Sequence, residues 1–307
     1  MIQHVPDSAD TKVRCVVDCR NGLGEGCIWD DARKVVWWVE MLRPALHQFD
    51  PKTGSHRAWP SAELLTSVAV RANGTLLVSR KSGLSEFNPS NGKFTHLAGF
   101  PIQETENRPN DSGVDKHGRL WLGTVHDTMT PGRETLPFKE SAGTLYRIDP
   151  DLRMVSMESR IGISNGIQWS PDDKVLYFVD SLPAIIYAYD YDLDAGTISN
   201  RRVFANPVGL GLPDGAAMDA DGYLWNARWD GGCVIRFAPN GAIDRIARVP
   251  AERVTSCAFG GDELDTLYIT TARCDLSARS LAEQPLQGGL FAVATGVKGL
   301  RRNPFRG

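Results

Sequence analysis

The chain has 307 residues, 42% of them hydrophobic and 23% charged, with a formal net charge of -3. That length and apolar content suit one large all-β unit or two smaller domains, and the slight negative charge argues against nucleic acid or an anionic membrane as partner. No stretch approaches the roughly 20 apolar residues needed to span a bilayer, and six cysteines without a C-x-x-C pair read as reduced thiols, so a cytoplasmic location is expected.

Residues 1–12 read as a polar, loose leader, and a strand over 13–19 is expected to complete the last repeat of the fold. From there a three-part phrase recurs six times, about 40 to 56 residues apart. The first copy runs Glu25-Gly-Cys-Ile-Trp29, an Asp-Asp turn, the strand around Trp37, then His47-Gln-Phe-Asp50. The second has Thr66 where the first has Glu25, then the Asn73-Gly74 turn, Leu77 and Ser85-Glu-Phe-Asn88. Asn110, Trp121 and Tyr146-Arg-Ile-Asp149 mark the third copy; Asn165, Tyr177 and Tyr187-Ala-Tyr-Asp190 mark the fourth. The fifth carries Asp214, the Asp221-Gly222 turn, Trp225 and Ile235-Arg-Phe-Ala238; the sixth carries Thr255, Tyr268 and Leu290-Phe-Ala-Val293.

Asn-Gly and Asp-Gly supply tight hairpin turns, and the β-branched and aromatic runs supply strands. Six small sheets that cannot each bury both faces must stack radially, which predicts an all-β, six-bladed β-propeller. Residues 13–297 would form one catalytic domain. Residues 298–307, with Lys298, Arg301, Arg302 and Arg306, read as a short basic, solvated tail. Two long connections, 126–142 and 273–288, are expected to roof the channel mouth as lids, with a short helix over 277–284.

Closing the ring turns Glu25, Asn110, Asn165 and Asp214 toward one space. Two carboxylates buried together there require a cation. Carboxylate and amide oxygens are hard donors suited to one divalent ion: calcium, magnesium or manganese first, zinc or ferrous iron also admitted. Arg108 can donate paired hydrogen bonds to substrate oxygens or brace a carboxylate. His126 and Asp127, at the end of the Trp121 strand, are further candidate substrate contacts. Gly162-Ile-Ser-Asn-Gly166 fits the G-x-S-x-G pattern of serine hydrolases, but a strand phrase follows it and no His occurs after His126.

These residues resemble the family of senescence marker protein, regucalcin and gluconolactonase. The matching stretches are Leu23-Gly-Glu-Gly26, Asn107-Arg-Pro-Asn-Asp111, Gly118-Arg-Leu-Trp-Leu-Gly-Thr124, Ile163-Ser-Asn-Gly166 and Leu212-Pro-Asp-Gly215. The resemblance covers about residues 13 to 294 and implies a six-bladed propeller with one catalytic divalent metal. It implies Glu25, Asn165 and Asp214 as metal ligands, Arg108 and Asn110 as substrate contacts, and Asp214 as general base. Animal members place a Glu where this chain reads Val125-His-Asp-Thr128, so the contact made by that Glu is not carried over. Thr124-Val-His-Asp127, Thr271-Ala-Arg273 and Leu286-Gln-Gly-Gly-Leu290 look closer to bacterial sugar-lactone hydrolases such as xylonolactonase and arabinonolactonase.

The expected reaction is metal-dependent hydrolysis of a pentono- or hexonolactone to the aldonic acid, in carbohydrate catabolism. A metal-dependent organophosphate or ester hydrolase is one alternative; a non-catalytic calcium-binding or scaffold propeller is the other. The sequence leaves the sugar, the metal and the oligomeric state open.

Overall fold

Each repeat folds into a meander of four antiparallel strands, and burial falls from the second strand outward. In the first blade Val35–Glu40 is buried throughout, whereas the outermost strand, Ser55–Pro60, is mostly exposed. The computed structural model describes residues 12–100, 106–129 and 141–307. Nearly all of the expected leader and most of the 126–142 connection therefore lie outside the described residues. Among those described, six four-stranded sheets form, which is the six-bladed propeller expected.

Five blades use consecutive strands. The sixth joins Arg253–Gly260, Thr266–Ala272 and Leu290–Ala294 to Arg14–Val17 from the other end of the chain. Arg14–Val17 pairs antiparallel with Leu290–Ala294, so the ring closes where the sequence placed the closure. A helix over Ala278–Glu283 forms as expected, with the Ser277 side chain accepting the Ser280 amide as its cap. No helix among the described residues is long and apolar enough to cross a membrane. The six cysteines form no disulfide.

A buried carboxylate locks the first turn of three blades. Asp30, Asp115 and Asp219 accept from the indole N–H of Trp37, Trp121 and Trp225, at 3.3, 3.0 and 2.9 Å. The same acids accept amides of their own turns, from Ala32, Arg119 and Tyr223. Each Trp is thereby fixed in rotamer at the blade core, and both oxygens of each acid are hydrogen-bonded.

The reading of residues 298–307 as a solvated tail is corrected. This segment crosses the base of the ring, bonded to one blade after another. Leu300 donates to the Met218 carbonyl at 3.0 Å, Phe305 to Val70 at 2.8 Å and Arg306 to Gly118 at 3.1 Å. Phe305 is fully buried in a cluster with Ala69, Leu77, Leu120 and Ile148. Four basic residues in a short stretch suggested solvent. One aromatic ring and a run of backbone bonds outweigh them, because the charges only need their tips in water.

Phe305→Ala should destabilise the protein by about 3 to 5 kcal/mol, the usual cost of emptying a buried phenyl site. Denaturant unfolding of the variant beside the native protein measures it.

Candidate metal centre

The repeat register survives in three dimensions. In every blade the residue three places after the ring position pairs with the matching second-strand residue. Those pairs are Ile28 with Trp37, Ala69 with Leu77, Gly113 with Trp121, Gln168 with Tyr177, Ala217 with Trp225 and Ala258 with Tyr268. Glu25, Thr66, Asn110, Asn165, Asp214 and Thr255 therefore occupy one level of the innermost strands.

At that level the ladder slips in all six blades. The shifts fall after Glu25, Leu65, Pro109, Asn165, Pro213 and Val254. A bulge leaves residues unpaired and re-aims their side chains. Gly26 and Gly166, each directly after a candidate ligand, take φ of +62° and +52°. A Cβ on Gly166 would lie 2.5 Å from Val179 Cγ2 and 3.0 Å from the Asp214 carbonyl oxygen, so glycine also lets two blades close on one another.

The two threonines take no part in the cluster: Thr66 Oγ1 donates to the Ser79 carbonyl, and Thr255 Oγ1 to that of Gly24 at 2.5 Å. The other four converge. Asn110 Nδ2 donates to Asn165 Oδ1 and to the Ser164 carbonyl, both at 2.9 Å. Asn165 Nδ2 donates to Ser181 Oγ at 2.9 Å, which turns its oxygen to the channel side of the amide. Burial, then the charges of Asp214 and Asp111, push the Glu25 carboxyl well above its usual range. Asp214 is pushed up likewise by burial and by Asp111. Its Oδ1 is buried without any hydrogen-bond partner. An orphaned carboxylate oxygen beside a second strained acid is a donor set that fits a hard dication. No three of His, Cys, Asp and Glu gather for a metal among the described residues. A set of two carboxylates completed by the Asn165 amide oxygen agrees with that.

Arg108 is buried, and burial brings its guanidinium down to about 10. Nη1 donates to Asn110 Oδ1 at 2.6 Å and Nε has no hydrogen-bond partner, lying 3.7 Å from Asp127 Oδ1. Asp127 also pairs with Lys81, so it braces Arg108 rather than offering a free acid. His126 stands half-buried at the rim, paired in register with Asn107. The 273–288 connection is tied to the same end of the ring: Arg273 and Cys274 donate to the Gly22 carbonyl, and Glu252 to Gln287 Oε1. Ser164 opens a strand, Ser164–Trp169, so the G-x-S-x-G match has no elbow.

Two further residues, Asp111 and Arg228, hold the backbone of the site, the latter through Asn226. Asp111 Oδ2 accepts the Gly166 amide at 2.8 Å, binding the third blade to the residue after Asn165. Buried Arg228 donates to Asn226 Oδ1 at 3.0 Å, and Asn226 Nδ2 donates to the Asp214 carbonyl at 2.8 Å, fixing the backbone that carries Asp214. The only signal for either was its place in a motif stretch. A cavity of about 450 Å³ lies at the opposite end, with Trp29, Val70, Trp169, Met218 and Phe259 among its walls; none of the candidate residues lines it.

Residues 23–273 match the model of the SMP-30/Gluconolactonase/LRE-like region. The chain is 35% identical to a 6-deoxy-6-sulfogluconolactonase of Pseudomonas putida, over 96% of this chain and 99% of that one. It is 35% identical to a pentonolactonase of Haloferax volcanii over 85% of each. The crystal structure of a calcium-binding protein, regucalcin, from Agrobacterium tumefaciens superposes with a TM-score of 0.89 at 27% identity, covering 96% of this chain and 97% of that one.

Without a cation, an acid whose folded pKa is raised disfavours the folded state as pH climbs through and above the ordinary carboxylate range. Metal-stripped protein should therefore lose thermal stability toward neutral pH, and Asp214→Asn should regain a few degrees there. Adding a divalent cation should reverse the loss in the native protein and not in the variant. Melting curves against pH, with chelator and with calcium or manganese, read all three.

Proposed function

The chain belongs to the SMP-30/gluconolactonase/LRE-like family, and on that premise we propose that it is a metal-dependent hydrolase opening a sugar lactone to its aldonic acid. The observation that carries the reading is the unpartnered Asp214 Oδ1 in a channel shared with Glu25 and Asn165. Relatives named as gluconolactonase and pentonolactonase support the substrate class. We assign a pentono- or hexonolactone as substrate, with a single dication held by Glu25, Asn165 and Asp214.

When bound, that ion would polarise the lactone carbonyl and balance the negative charge that develops on its oxygen. Asp214 takes the proton from the attacking water, and its Oδ1 has no hydrogen-bond partner within the protein to compete for that proton. Asn110 is held rigid from both ends, by Arg108 on its oxygen and by Asn165 and Ser164 on its nitrogen. It thus sets the ligand amide in place, while Arg108 Nε is left to donate to a sugar oxygen. Asp127 keeps that guanidinium aimed, and His126 stands at the rim where the sugar would enter.

A second reading follows from the regucalcin neighbour, a calcium-binding protein: binding of the ion without turnover. One set of assays separates them. Aldonolactones, with a phosphotriester as comparison, are followed by a pH indicator with and without chelator. Lactone turnover that stops with chelator and falls about 10²- to 10⁴-fold in Asp214→Ala is expected. Tight metal binding with no lactone turnover would favour the calcium-binding reading, and chelator-insensitive activity would remove the metal mechanism.

A further inference from the structure

Below the candidate metal ring the axial channel narrows to a waist. All six innermost strands wall it, with Cys27, Ser67, Asp111, Gln168, Ala216 and Ser256 among the residues contributed. The space left is about 10 Å³, no more than one water needs. One wall residue comes from outside the blades: Arg302, on the segment that crosses the base. It also lines the large base cavity, so its side chain stands on the boundary between cavity and waist. Its Nη2 reaches the Ala216 carbonyl at 3.5 Å. The neighbours of the segment hold it there, through Leu300 on Met218 and the buried ring of Phe305.

The facing group is Asp111, whose oxygens take the amides of Ser112 at 2.7 Å and Gly166 at 2.8 Å. Neither is a charge, so the waist acid meets its positive partner only from below. We propose that Arg302 is a charged plug: it seals the base end of the channel and supplies the counter-charge to Asp111, leaving the ring open only at the mouth.

The other buried arginines act elsewhere: Arg108 bears on Asp127 and Glu25, and Arg228 on Asp214. The charge that opposes the burial of Asp111 is that of Arg302. The seal does not rest on the metal reading. An apolar plug of equal size would close the channel but would leave Asp111 uncompensated in a dry passage.

Cys27, at the waist and 1% exposed, is a built-in probe. Closed off from solvent, its thiol labels slowly while the waist is sealed. The full-length protein is treated with a cationic and an anionic methanethiosulfonate, and labelling at each cysteine is timed by mass spectrometry. In Arg302→Ala, Cys27 should label roughly tenfold faster, and faster with the cationic reagent, because Asp111 then faces an open passage. Arg302→Lys should restore slow labelling. Buried Cys233, in the fifth blade, should keep its native rate in both variants. An unchanged Cys27 rate in Arg302→Ala overturns the proposal, and so does a parallel rise at Cys233, which would mean general loosening. The readout needs neither metal nor substrate, so it fails or succeeds independently of the proposed reaction.

Discussion

Carboxylates gathered in a narrow protein channel repel one another and lose hydration, and most of this molecule can be understood as the means of holding them there. Glu25 and Asp214 come from blades far apart in sequence, and both are pushed toward protonation by burial and by neighbouring acids. A fold that kept such a pair without purpose would discard stability of the kind that selection usually recovers. The local devices around them all resist relaxation. Arg228 fixes the Asp214 backbone through Asn226, Asp111 ties down the segment after Asn165, and Ser181 holds the Asn165 amide.

The bulges explain how a repetitive sheet can carry a non-repetitive site. A regular ladder would alternate side chains between the two faces of each blade, and none would point along the ring axis. One slip per blade at a shared level frees a residue from that alternation. Six positions then become available, and the sequence uses them unequally. Two threonines close back on the backbone, an asparagine is braced by an arginine, and three residues are left with oxygen toward the channel. Symmetry is a property of the backbone; the candidate chemistry lies in how the side chains break it.

Much of this was legible because the information is periodic. Turn dipeptides and aromatic second strands recur at fixed offsets, so a residue in one copy can be indexed against the other five without knowing any contact. The pairing of Ile28 with Trp37 and Ala217 with Trp225 is that indexing realised in hydrogen bonds. What escaped was aperiodic. The 298–307 segment has no copy elsewhere to be aligned with, and its composition is dominated by charges that carry no information about path. Phe305, the residue that decides the path, is a single aromatic in ten residues, too little to register as a pattern. Asp127 was equally ambiguous: its place at a strand end near the mouth was readable, but its commitment to Arg108 and Lys81 depends on a neighbouring blade.

The two ends of the channel show why volume is a poor guide to chemistry here. At the base the innermost strands end around a cavity of about 450 Å³, with Trp29, Trp169 and Phe259 among its walls. Charged residues also line it, but Lys116 is paired with Asp173 and Arg301 with Asp31. The ring level carries the unbalanced charge of Glu25 and Asp214, and electrostatic stabilisation of a reacting group grows with preorganised charge rather than with room. Placing the acids at the narrow level also confines whatever balances them. A cation in a wide basin could be hydrated freely, whereas one between Glu25, Asn165 and Asp214 must exchange water for protein oxygens. Because Asn165 is held by Asn110 and Ser181, the cost of ordering that candidate ligand would fall on folding rather than on binding.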